Sequence, residues 1–113
     1  MKETVINNIT YHIGRNAKDN TEMIKGSDGE WYWFHLAGVP SCHVIVTETD
    51  FDKPVIVQAA ALVYQYSKPI YKNFPVTFCK VNQLTHGSKD GMVKINGLHG
   101  LYSPSLKKQC SEN

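Results

Sequence analysis

Cysteine is scarce in this chain, and the few present do not suggest pairing. Cys42, Cys79 and Cys110 are odd in number, widely spaced and without a C-x-x-C. That excludes a disulfide framework and a zinc ribbon and makes reduced thiols the expectation. Long apolar runs are missing too. The best, around Val55 to Val63, is broken by Gln58 and falls short of the roughly 18 residues that a bilayer-crossing helix needs, so no membrane association is expected. The opening MKETVINN has neither the apolar stretch nor the small-residue cleavage site of a secretory signal, which points to the cytoplasm. Internal repeats, low-complexity segments and domain boundaries are also absent. Acidic residues thin out along the chain. Residues 1–65 hold five cations against eight acids, whereas residues 66–113 hold seven lysines against Asp90 and Glu112 alone. A basic half of this size can supply phosphate contacts, and it is equally compatible with an ordinary solvated surface.

What is present fits a single globular domain. The hydrophobic share of 42% and charged share of 19% sit near the globular average, and 113 residues suffice for one core. Two short β-branched stretches, Thr4–Ile6 and Ile9–Ile13, flank Asn7-Asn8, and asparagine tolerates the positive φ of a tight hairpin. Residues 14–29 turn polar and predict a long surface loop with one helical turn at most. The aromatic run Trp31 to Leu36 and the β-branched run His43 to Thr47 predict two strands, paired antiparallel across a turn at Gly38 to Ser41. The main helix is expected over about residues 54–67, with Pro54 in its first turn, Asp50 or Asp52 as cap, and Ile56, Ala59, Ala60, Val63 and Tyr64 as its packing face. Pro75 to Val81 alternates as a strand, with Val76 and Phe78 on one side and Thr77, Cys79 and Val81 on the other. Residues 91–95 and 98–102 are expected to form a last hairpin around Asn96-Gly97. The sum is an α+β fold, a mostly antiparallel sheet with one main helix packed on it.

Several local patterns occur in a fixed order: Gly14-Arg15-Asn16-Ala17 and Asn20, Trp33-Phe34-His35, Ser41-Cys42-His43-Val44, Ala59-Ala60, Tyr66-Ser67-Lys68, and Gly91-Met92-Val93. In that order and spacing they resemble the NFACT-R domain, the RNA-binding domain of NFACT proteins also designated DUF814, and are similar to the corresponding domain of CCDC25-like proteins. The resemblance covers about residues 5–98. It departs from the family pattern where Trp31 stands in place of an acid and where Cys42 precedes His43. The resemblance implies an RNA-binding domain, set at residues 1–104; residues 105–113 beyond it are polar and expected to form a flexible tail. It also implies a non-catalytic role with tRNA or ribosomal RNA, near the ribosome and its quality control.

The residues this places in an RNA site are Arg15, Asn16, Asn20, His35, Ser41, His43, Tyr66, Ser67 and Lys68. Chemically, Arg15 can fork onto a phosphate, and Asn16 and Asn20 can reach sugar or base edges. His35 and His43 flank the turn, so antiparallel pairing brings both imidazoles to one sheet face, where with Ser41 they can bond phosphate or ribose. Each also admits a structural role: Arg15 paired with Asp19, the histidines bonded to backbone, and Lys68 complementing a helix C-terminus.

Other function classes stay open at this level. A docking module for a ribosomal protein or quality-control factor needs only the exposed surface. DNA remains a possible ligand, because a basic surface does not itself sense the 2′-hydroxyl. A metal-dependent enzyme could draw on His35, Cys42 and His43, completed by His12, His86 or His99. Adjacent strand residues 42 and 43 point opposite ways, however, and neither H-x-E nor C-x-x-C occurs. No metal, cofactor or catalytic residue is therefore expected.

Overall fold

The computed structural model describes residues 1–97 and 99–103. The expected tail over 105–113, Leu98 and Cys110 lie outside them. The chain runs through β1 (Lys2–Ile6), β2 (Ile9–Gly14), α1 (Ala17–Lys25), β3 (Tyr32–Leu36), β4 (His43–Val46), α2 (Lys53–Gln65), β5 (Val76–Lys80), β6 (Leu84–His86), β7 (Val93–Ile95) and β8 (Gly100–Tyr102), with single 3-10 turns at Pro69–Tyr71 and Val81–Gln83. Six strands form one sheet in the order β1-β2-β4-β3-β5-β8, every neighbouring pair antiparallel. The fold is α+β. No helix among the described residues is long and apolar enough to cross a membrane.

The opening hairpin closes as the asparagines demand. Asn7 at φ 52° and Asn8 at φ 67° both occupy the left-handed region, the pairing of conformations that lets a two-residue turn follow the strands' twist. It sets Ile6 opposite Ile9.

Alternation along the central strands sends their side chains to two covered faces. Ile13, Phe34, Leu36, Val44, Val46 and Val76 meet Ala59, Ala60, Leu62 and Val63 of α2 in one cluster. The two alanines let the helix lie close on the sheet. Asp52 occupies the cap position of α2, but makes no side-chain cap bond, and the helix ends at Gln65 rather than Ser67. On the opposite face Trp33, Ile45, Cys79 and Val81 pack with Met23 and Ile24 of α1 and with Leu84, Val93 and Ile95 of β6 and β7. Burying each large aliphatic or aromatic side chain stabilises the fold by about 1.5–3 kcal/mol, so both faces contribute.

Two expectations are corrected. The polar stretch expected as a loop holds the nine-residue helix α1, capped by Asn16, whose side chain accepts from Asp19 N–H at 2.9 Å. Its inward face includes buried Asn20 and Thr21 beside Met23 and Ile24, which hides the apolar period that marks a packed helix. The final hairpin also differs. Val93–Ile95 pairs back with Leu84–His86, while Gly100–Tyr102 adds to the sheet edge beside β5. Asn96 N–H donates to Gln83 O at 2.7 Å, so Asn96-Gly97 leads away from the small β6–β7 hairpin rather than turning one.

Candidate functional site

Gly14 ends β2, and the chain then turns into α1 through Arg15 and Asn16. This places Arg15, Asn16 and Asn20 over one end of the sheet. The register that pairs Trp33 with Ile45 and Phe34 with Val44 brings His35 and His43 side by side on the face that α1 covers. Ser41 lies in the connection between them. The end of α2 delivers Tyr66, Ser67 and Lys68 to the same place. All nine line one cavity of about 460 Å³, with Asp90, Gly91 and Met92 from the β6–β7 loop on its far side. That loop is anchored on α1 by Gly91 N–H, which donates to Thr21 Oγ1 at 2.7 Å. Gly91 has φ 80° and lies against Ala17, so a side chain there would be strained and crowded.

The floor is built on Trp33. Its indole Nε1–H donates to His43 Nδ1 at 3.0 Å, and its ring stacks on His35 with centroids 5.4 Å apart and planes 9° apart. His35 and His43 meet edge to face at 4.7 Å. A ring nitrogen that accepts a hydrogen bond carries no proton, so neutral His43 holds its proton on Nε2. His43 is only 2% exposed; burial, then the neighbouring His35, pushes its pKa down to about 3. Burial lowers that of His35 as well. Both imidazoles are neutral at physiological pH.

Asn20 is 5% exposed, and its Oδ1 has no hydrogen-bond partner among the described residues. It rests against Gly14, where any Cβ would collide with it. Ser41 and Ser67 are engaged within the scaffold. Ser41 Oγ accepts from Leu36 N–H at 3.0 Å and donates to Cys42 O at 2.9 Å, and Ser67 Oγ accepts from Cys42 N–H at 3.3 Å. They fix the entry to β4 against the end of α2.

At the rim, the guanidinium of Arg15 makes no ion pair among the described residues. Asp19, the partner expected in a purely structural role, instead accepts from the Met1 amine at 2.6 Å and from the Arg15 backbone N–H at 3.3 Å. The hydrogen bond from that amine is the largest cause holding its carboxyl below the usual range. Lys68 is exposed and likewise unpaired among the described residues. Tyr66 carries Lys2 Nζ 5.5 Å from its ring centroid.

The set His35, Cys42 and His43 does not converge. Cys42 belongs to the cluster under α2, where its thiol donates to Val63 O at 3.5 Å and burial pushes its pKa up to about 11. That thiol is protonated and turned away from the histidines. Among the described residues no three His, Cys, Asp or Glu side chains are grouped to hold a metal.

Sequence reasoning missed Trp33, Gly14 and Met92 as parts of the site. All three were visible only as members of recurring motifs.

No family model matches the chain. It is 25% identical over 100 residues to the Rqc2 homolog RqcH of Bacillus subtilis, a match covering 83% of this chain and 17% of that protein. Its fold is similar to the C-terminal part of the fibronectin/fibrinogen-binding protein of Streptococcus suis, with TM-score 0.77 and 25% identity over 96% of this chain and 47% of that one. The chain therefore spans about a sixth of the first relative and about half of the second.

Proposed function

We propose that this domain is a non-catalytic, cytoplasmic RNA-binding module of the NFACT-R type, engaging tRNA or ribosome-associated RNA in translation or ribosome quality control. The observation that carries this is the convergence of nine residues from separate elements on one cavity, rimmed by two cations, Arg15 and Lys68, that lack acidic partners among the described residues. Unpaired cations beside neutral donors suit an anionic, acceptor-rich ligand such as a nucleic-acid backbone. Likeness to an Rqc2 homologue agrees with the motif resemblance and with a setting near the ribosome.

Fluorescence anisotropy against total tRNA, duplex RNA and duplex DNA at two salt concentrations tests this. Micromolar or tighter, salt-sensitive binding to tRNA, weakened by Arg15→Ala and His43→Ala with folding intact, is the expected result. A second function rests on a different observation. Ile70 is 78% exposed and Phe74 39% exposed, both just beyond the end of α2, and an apolar pair so placed suits docking on a protein. Absence of binding to every nucleic acid, together with salt-insensitive capture of a ribosomal protein, would favour that docking role.

A further inference from the structure

The floor of the cavity offers hydrogen-bond donors. With Nδ1 engaged by Trp33, His43 presents Nε2–H. With Oδ1 shut against Gly14, Asn20 has its Nδ2 left to face the cavity that it lines. The opposite amide orientation would press an NH2 group onto the Gly14 Cα–H, whereas the present one gives the weakly favourable C–H to oxygen contact. Ser41 and Ser67 each already accept from a backbone N–H group. Ala17, the first residue of α1, lies beside these donors, at the helix end where partial positive charge gathers.

We infer that the cavity is a receptor for one phosphate group, bound by His43 Nε2–H and Asn20 Nδ2 from the floor and by Arg15 and Lys68 from the rim, with Trp33 as the positioning residue that turns the His43 donor outward. The inference rests on the RNA-binding reading for the source of the phosphate, either a strand's 5′ end or an internal diester. A phosphate is acceptor-only when ionised, so it can satisfy every one of these groups at once. The groups around His43 are His35 from β3, Asn20 from α1, and Arg15, Lys68 and Asp90 at the rim. Asp90 alone opposes an anion, and it lies on the exposed loop. Because the floor donates while neutral, binding does not wait for an imidazolium to form.

The test is side-chain NMR of the isotope-labelled chain at constant ionic strength. Inorganic phosphate and tetrauridylate with and without a 5′-phosphate serve as probes. Expected are shifts of the His43 ring, the Asn20 amide and the Trp33 indole N–H. The 5′-phosphorylated probe alone would identify a terminal phosphate, and both oligonucleotides an internal one. His43 ring nitrogen shifts should report the Nε2–H tautomer. Affinity for the unphosphorylated oligonucleotide, whose diesters do not titrate, should stay within about twofold between about pH 6 and pH 8. Trp33→Phe should convert that flat profile into one rising toward acid, an effect that a merely structural indole would not have. Arg15→Ala, an exposed change that leaves the fold intact, should weaken binding by about tenfold. RNA binding that leaves His43 and Asn20 unmoved overturns the phosphate receptor while sparing the RNA-binding role. Phosphate shifts at both residues without any binding of tRNA would overturn that role and keep the receptor.

Discussion

The two faces of the central sheet are made by alternate residues of the same strands, yet they are opposite in character. Under α2, Phe34, Leu36, Val44 and Val46 are completely buried among aliphatic neighbours. Under α1, the interleaved positions are Trp33, His35, His43 and Ile45, and only half of that face is closed by apolar packing. The period of two in a strand thus lets one short sequence stretch carry an apolar core on one side and the candidate site on the other. Substitutions one residue apart should separate the two properties.

The largest expected effect lies on the closed face. Phe34→Ala should destabilise the domain by about 3–5 kcal/mol, read as a fall in the denaturation midpoint, while any protein that remains folded binds tRNA as before. A comparable loss of binding per folded molecule would break the comparison. Next comes the pH dependence of the histidine face. The folded pKa of His43 is about 3, below its ordinary unfolded value, so the unfolded chain takes up the proton first as pH falls. Stability is full above about pH 6.5 and should decline by about 1.4 kcal/mol per pH unit between there and the folded pKa. Urea midpoints measured across that range check the sign. A stability that rises toward acid would contradict the buried neutral pair.

Gly14→Ala sharpens the comparison from the site side. Its Cβ would collide with Asn20 Oδ1, so a cost of about 1–3 kcal/mol in stability is expected, with tRNA affinity lost alongside because Asn20 is displaced. The smallest effect on stability should come from Arg15→Ala. The exposed position should move the midpoint by less than about 0.5 kcal/mol, yet lower the slope of log affinity against log salt by about 0.7–0.9. Salt titrations of wild type and variant give that number directly.

The closed face was the more legible in the sequence. Its β-branched residues and the spaced alanines of α2 follow simple periods, and Asn7-Asn8 announced the first hairpin. The face that holds the candidate site was legible only in part. The register of two strands across a short turn was enough to bring His35 and His43 together. Helix α1 was not visible, because its buried side includes Asn20 and Thr21, polar residues turned toward the cavity and the 90–92 loop rather than an apolar core. Three-residue strands such as β7 and β8 carry too little pattern to fix a partner, so their pairing had to come from tertiary contacts. The role of Trp33 escaped for a similar reason. Its indole N–H reaches His43 diagonally across the β3–β4 pair, and a core tryptophan and a positioning one look alike in sequence.

The most direct test of the central claim is photocrosslinking of bound tRNA followed by peptide mapping. Crosslinks should fall on the peptides holding Arg15 to Asn20, Tyr66 to Lys68 and Gly91-Met92, around the mouth of one cavity. Crosslinks concentrated instead on the outer side of α2 or along the β1 edge would contradict the account.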